Sequence, residues 1–316
     1  MTLRNVAASV RQRLMNVSRT TKEPFDLVLT RFALERLLFR LAQSAHADRF
    51  VLKGAMLFQI WTGDVHRPTR DLDLLGSGDP APESFAQIFR DVCEVTVPDD
   101  GLIFEAPSVQ AARMKEEEQY EGLRLKLIAR LAAARIPVQI DIGFGDAITP
   151  GPERTQYPAL LDFPAPSLTV YPRETVIAEK LQAMVHLGIA NSRMKDFYDI
   201  RSLARQFSFS GARLAAAIAA TFTRRQTELP TESPLALTPA FSTDKQKQTQ
   251  WKAFLRKTRL DASLDLPQIT DELAEFLLPP MMAAGRRERF PQQWSFADKW
   301  KAAANDPTEK TPSDGR

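Results

Sequence analysis

The chain has 316 residues, 44% of them hydrophobic and 26% charged, which is the composition of a globular protein with room for a sizeable core. A formal net charge of +3 does not by itself demand a nucleic-acid partner, and no apolar run approaches the ~20 residues of a membrane span. The only cysteine, Cys93, excludes an internal disulfide and suits a reducing compartment. The opening stretch MTLRNVAASVRQRLMN is amphipathic but has no signal-peptide apolar region or cleavage site, so a cytoplasmic protein is expected.

In chain order, residues 3–46 predict two amphipathic helices, LRNVAASVRQRLMNVS and PFDLVLTRFALERLLFRLAQSA, with apolar residues at helical spacing. RFVLKGAMLFQIWTG follows, with Gly54 just ahead of an apolar run of short-helix character. TRDLDLLG then predicts a strand that Gly76 ends. PESFAQIFRDVCEVTV suits a helix and LIFEAPSVQAARM a strand. In EGLRLKLIARLAAARIPVQIDIGFGD, apolar and polar residues alternate twice, which predicts two paired antiparallel strands. Prolines crowd residues 146–174, so this stretch is expected to connect rather than to form a regular element.

Helical patterning then dominates, in RETVIAEKLQAMVHLG, RMKDFYDIRSLARQ and GARLAAAIAATFTRR. A looser stretch, 226–243, precedes two further helices, KQTQWKAFLRKT and LPQITDELAEFLLPPMMAA. The predicted class is α+β: a small mixed sheet within residues 1–150, a helical lobe over 151–305, and a polar tail, 306–316, expected to be disordered. No internal repeat is present.

The chemistry starts with Asp71 and Asp73. Two residues apart on a strand they share a face, and like charges there need a positive partner: a metal ion, an arginine, or the solvent of a strand end. Gly54 lies upstream, where a small residue lets backbone N–H groups approach a phosphate. Asp141, amid the apolar residues of VQIDIGFG, also needs a partner, either a metal shared with Asp71 and Asp73 or a salt bridge. Three carboxylates around Mg²⁺ are the arrangement of phosphoryl or nucleotidyl transfer.

Lys180, on an otherwise apolar helix, either pairs with a neighbouring carboxylate or grips phosphates. Asp196 and Asp199 lie on one helical face, either as a salt-bridged surface or to order that lysine. His46, His66 and His186 lack zinc-site spacing, and the P-loop, dinucleotide and nucleophile-elbow motifs are absent.

Taken in order, RFVLKGAMLFQIW, RPTRDLDLL, VQIDIGFGD, YPRETVIAEKLQAMVHLG and SRMKDFYDIRSL resemble the nucleotidyltransferase AbiEii/AbiGii toxin family. Its members are the toxin halves of type IV abortive-infection toxin–antitoxin systems, and the mycobacterial MenT toxins are relatives. The resemblance runs over roughly residues 25–205, and the helical remainder to about 300 fits the family's layout.

It implies a DNA polymerase β-like nucleotidyltransferase core followed by a helical C-terminal lobe. In that frame Lys53, Gly54 and Ala55 would hold the triphosphate, and Asp71 and Asp73 would hold Mg²⁺. Asp141 would be the third carboxylate, Lys180 the nucleotide-contacting lysine, and either Asp196 or Asp199 the last acidic motif. Two departures stand out: Ala55 replaces the serine or glycine of many relatives, and the gap from Gly54 to Asp71 is long.

The implied reaction moves a nucleoside monophosphate from an NTP to an acceptor, with pyrophosphate leaving. Among relatives the acceptor is the tRNA 3′ end, and a cognate antitoxin, often a winged-helix protein, counteracts the toxin. The basic stretches WKAFLRKTR, with Trp251, and AAGRRERF either face RNA or are solvated helix surfaces. Other readings are a protein or small-molecule acceptor, or a non-catalytic binding module.

Overall fold

A computed structural model describes residues 5–63, 66–114 and 122–302; the tail expected from 306 lies outside them. Two helices come first. Asn5 opens α1 (Val6–Thr21) by accepting the Ala8 amide at 3.0 Å, and left-handed Lys22 closes it. In α2 (Phe25–Gln43), Val28, Phe32, Leu37 and Leu38 are fully enclosed.

Burial on α2 extends to charged residues. Arg36 Nε meets Asp100 at 3.0 Å, and Arg40 grips the same carboxylate at 2.7 and 3.0 Å. Burial pushes the Asp100 carboxyl up, but the two guanidinium groups outweigh it and hold it below its ordinary range. Glu35 accepts the Leu160 amide at 2.7 Å, and its burial pushes the carboxyl up to about 7.

The sheet begins with β1 (Phe50–Lys53), followed by a tight turn at Gly54–Met56 and the short α3 (Leu57–Thr62), which carries Trp61. Then come β2 (Asp71–Gly76), α4 (Pro82–Glu94), β3 (Leu102–Phe104), β4 (Gln110–Met114), β5 (Gly122–Leu131), β6 (Ala134–Phe144), β7 (Glu153–Gln156) and β8 (Ser167–Val170). The strand order is β3-β5-β6-β2-β1-β8-β7, with β4 also pairing β5. Central β2 runs parallel to β6 and antiparallel to β1.

Along the β5–β6 hairpin, Leu123, Leu125 and Leu127 are buried, as are Val138, Ile140 and Ile142. Arg124, Lys126, Gln139 and Asp141 are thereby left on the other face.

Two expectations change here. Residues 146–174 are not only a connector, because β7 and β8 belong to the sheet. Pro152 and Pro158 bracket β7, and Pro166 and Pro172 bracket β8, without entering either ladder. LIFEAPSVQAARM splits into β3 and β4 around a tight turn at Ala106–Ser108.

The chain divides into two compact units, residues 1–146 with 151–171, and 147–150 with 172 onward. The second unit contains α5 (Arg173–Leu187), α6 (Met194–Gln206), β9 (Phe209–Ser210), α7 (Gly211–Arg224), α8 (Pro239–Ser242), α9 (Lys245–Thr258), α10 (Leu266–Arg286), β10 (Gln292–Ser295) and β11 (Lys299–Ala302). It is not helical throughout: β10 pairs β9 and β11 in a small antiparallel sheet. Strands of two and four residues are too short for an alternating pattern to register.

The aromatic residues explain the core of this unit. Trp294 Nε1 donates to the Ala204 carbonyl at 2.7 Å, and the Trp300 ring stacks on Phe276 at 5.8 Å. Trp251 is 1% exposed and donates to the Leu264 carbonyl at 2.8 Å, so it is a core residue and not a face for RNA. Among the described residues no helix is long and apolar enough to cross a membrane.

Candidate active site

Strand register builds the site. Lys53 on β1 is the partner of Asp73 on β2, Asp73 of Asp141 on β6, and Asp141 of Arg124 on β5. Directly paired residues share a sheet face, so a cation, two carboxylates and a second cation stand in one row across four strands. Asp71 lies on the same face of β2, two residues back, beside Gln139. Adjacent like charges repel, and the flanking cations offset that repulsion.

Both end cations are engaged. Arg124 holds Asp141 with two parallel bonds, Nε to Oδ1 and Nη2 to Oδ2, each 2.8 Å. Gln139 Nε2 adds longer bonds of 3.4 and 3.3 Å to the same carboxylate. Lys53 Nζ donates to Asp146 Oδ2 at 2.7 Å and lies 5.4 Å from the centre of the Tyr171 ring.

Gly54 fixes the other wall. Its φ of +76° is a left-handed conformation, and a Cβ placed there would lie 2.0 Å from Asp73 Oδ2. The backbone of the turn therefore presses directly on the carboxylate, and no side chain fits between them. Ala55 follows within the turn.

The donors suit a divalent cation. Asp71 and Asp73 offer hard oxygens side by side, and Mg²⁺ is commonly held by one or two carboxylates plus substrate phosphates. Asp141 stands beside Asp73, but Arg124 occupies both of its oxygens. Among the described residues no three carboxylate, histidine or cysteine groups converge on one point. The residues present thus fit a two-carboxylate cation site with the third carboxylate held aside.

The second unit holds a separate cluster. Lys180 Nζ, on α5, meets Asp196 Oδ1 at 2.7 Å and Asp199 Oδ2 at 2.9 Å, and both aspartates are fully buried. Arg193 Nε lies 2.8 Å from the other Asp196 oxygen. Burial pushes the Asp196 carboxyl up, but Lys180 and then Arg193 outweigh it and hold it below its ordinary range. The salt-bridged surface helix that KDFYD allowed is excluded, because its carboxylates face inward. Both aspartates, not one, hold the lysine.

Three side chains of the row's surroundings were passed over in the sequence: Arg124, Asp146 and Tyr171. The alternation in LRLKL does place Arg124 on the Asp141 face, and this was the one signal that could have found it.

A sequence profile of the nucleotidyl transferase AbiEii toxin, type IV toxin–antitoxin system, family matches residues 36–306. No curated protein sequence matches. Two solved structures from Helicobacter pylori are loosely similar. JHP933 has 15% identity and a TM-score of 0.45, over 81% of this chain and 90% of that one. A candidate nucleotidyltransferase has 16% identity and a TM-score of 0.43, over 81% and 93%. With Asp73 against the Gly54 turn and Asp141 as its register partner, and with the profile spanning most of its length, the chain belongs to the AbiEii nucleotidyltransferase toxin family of type IV toxin–antitoxin systems.

Proposed function

We propose that this chain transfers a nucleoside monophosphate from an NTP to an RNA acceptor, the 3′ end of tRNA, in a Mg²⁺-dependent reaction that halts translation. The observation that carries this reading is the Asp71–Asp73 pair with the Gly54 backbone pressed against Asp73. It supports the reading because a glycine turn suits close approach of a phosphate and the carboxylates offer hard oxygen donors. The reading takes the first unit as a polymerase β-like core acting in the cytoplasm, with a winged-helix antitoxin as the neutralising partner.

Lys53 and the Gly54–Ala55 backbone receive the triphosphate, Ala55 contributing no hydroxyl. Asp71 and Asp73 would hold the cation, which would neutralise phosphate charge when bound. Asp141 orients the acceptor hydroxyl and takes its proton as the oxygen–phosphorus bond forms at the α-phosphate and pyrophosphate leaves. Lys180, already oriented by Asp196 and Asp199, is a further phosphate-binding cation; its support is the ion-pair geometry within its own unit.

The test is label transfer from α-³²P NTPs into a tRNA pool and, separately, a protein pool. Asp73→Asn is expected to lower transfer at least about a hundredfold, the scale of losing several kcal/mol of charge stabilisation. Equal transfer and equal toxicity of Asp73→Asn and wild type would overturn the assignment. Label in the protein pool alone would move the acceptor from RNA to protein.

A further inference from the structure

We propose that Arg124 is a displaceable latch on Asp141: the phosphates of the incoming nucleotide draw it away, and only then is the third carboxylate available to the cation site. The inference rests on the nucleotidyltransferase reading and specifies how that site is controlled.

Three observations carry it. The grip is bidentate, at 2.8 Å twice, and the same planar fork fits two phosphate oxygens as well as it fits a carboxylate. The latch is also the open end of the row. The Arg124 side chain is 44% exposed against 16% for Asp141, whereas Lys53 and Asp146 at the other end are only 18% and 9% exposed. A half-exposed ion pair is weakly held, so a ligand with several negative charges outcompetes a single carboxylate for the guanidinium. Finally, Asp141 is the register partner of Asp73. Once Arg124 leaves, Asp141 faces the adjacent Asp73 carboxylate without its own cation, a state that favours a divalent ion.

Nucleotide and metal therefore assist each other through one side chain, and the coupling is reciprocal. Before substrate arrives, Arg124 keeps the carboxylate set incomplete. No bond is made or broken in this step; it is an exchange of ion-pair partners.

The test uses Mn²⁺ alone as the probe, with free ion counted by electron paramagnetic resonance. It is run on the full chain as wild type, Arg124→Gln, Asp141→Asn and the double variant. Arg124→Gln is expected to tighten Mn²⁺ binding about fivefold, the scale of losing one partly exposed ion pair. In the Asp141→Asn background the same change is expected to give less than about twofold, because only a screened long-range charge effect is left.

Equal tightening in both backgrounds, or none in either, would overturn the latch while label transfer by the wild type continues to support the parent reading. Absence of Mn²⁺ binding in every variant, together with absence of label transfer, would remove the parent reading as well.

Discussion

Asp73 lies in a row of partly exposed side chains, whereas Asp196 and Asp199 have no exposed surface at all. The row is laid down by strand register, and Asp73 and Asp141 within it keep some contact with solvent. The helical cluster has two enclosed carboxylates sharing one lysine, with Arg193 also on Asp196. Loss of charge therefore means different things in the two places: a small cost in folding at Asp73, a large one in the cluster.

The comparison breaks most visibly at Lys180. Lys180→Ala is expected to cost about 3–5 kcal/mol in urea denaturation, because two buried carboxylates lose the cation they share, with Arg193 left on Asp196. Asp73→Asn is expected to stay within about 0.5 kcal/mol in the same experiment. If the two substitutions cost the same, the distinction between open row and buried cluster fails.

A smaller effect comes from pH, where the net shifts are opposite in the two units: burial prevails at Glu35, whereas Lys180 and Arg193 outweigh it at Asp196. Glu35 in the first unit has its carboxyl raised from 4.5 to about 7 by burial. The folded chain thus holds this proton more tightly than the unfolded one. The resulting stability is full below pH 4.5 and is lost as pH rises to 7, about 3 kcal/mol over that interval. Asp196, lowered from 3.8, contributes in the opposite sense: its stability is present above that value and is lost as pH falls through the folded pKa. Glu35→Gln is expected to flatten the stability profile between pH 4.5 and 7 and leave the acid limb unchanged. A profile identical to wild type would show that Glu35 does not carry the slope.

A smaller effect again sharpens the picture of the row itself. Gly54→Ala imposes a left-handed alanine and a collision with Asp73, costing about 1–3 kcal/mol. Since the collision displaces a proposed metal ligand, label transfer should fall far more than the melting temperature. A variant that melts early but transfers normally would show that Gly54 serves only the backbone.

Much of this was legible in the sequence, for identifiable reasons. The strand at Asp71–Gly76, the alternating pair of strands and the helices around Lys180 and Asp196 all follow from periodicity. The row was not legible, because it depends on β2 lying between an antiparallel and a parallel neighbour. No local pattern states that arrangement. The Arg124–Asp141 pairing was hidden by its turn: Ala132, at φ +51°, stands where an asparagine or glycine would normally announce a tight hairpin. Prolines hid β7 and β8 by marking the borders of strands as though they marked a loop. Lys180, Asp196 and Asp199 were found as candidates, but the burial of both aspartates comes from packing, which a charged helix face does not reveal.

The tryptophans give the molecule an uneven optical character. Trp251, Trp294 and Trp300 belong to the second unit, while Trp61 alone belongs to the first. Trp61 sits on the helix that follows the Gly54 turn, edge-on to Phe58 at 5.4 Å. Bulk emission thus reports chiefly on the second unit. The difference spectrum between wild type and Trp61→Phe isolates one chromophore beside the turn, a native reporter of events there that needs no added dye.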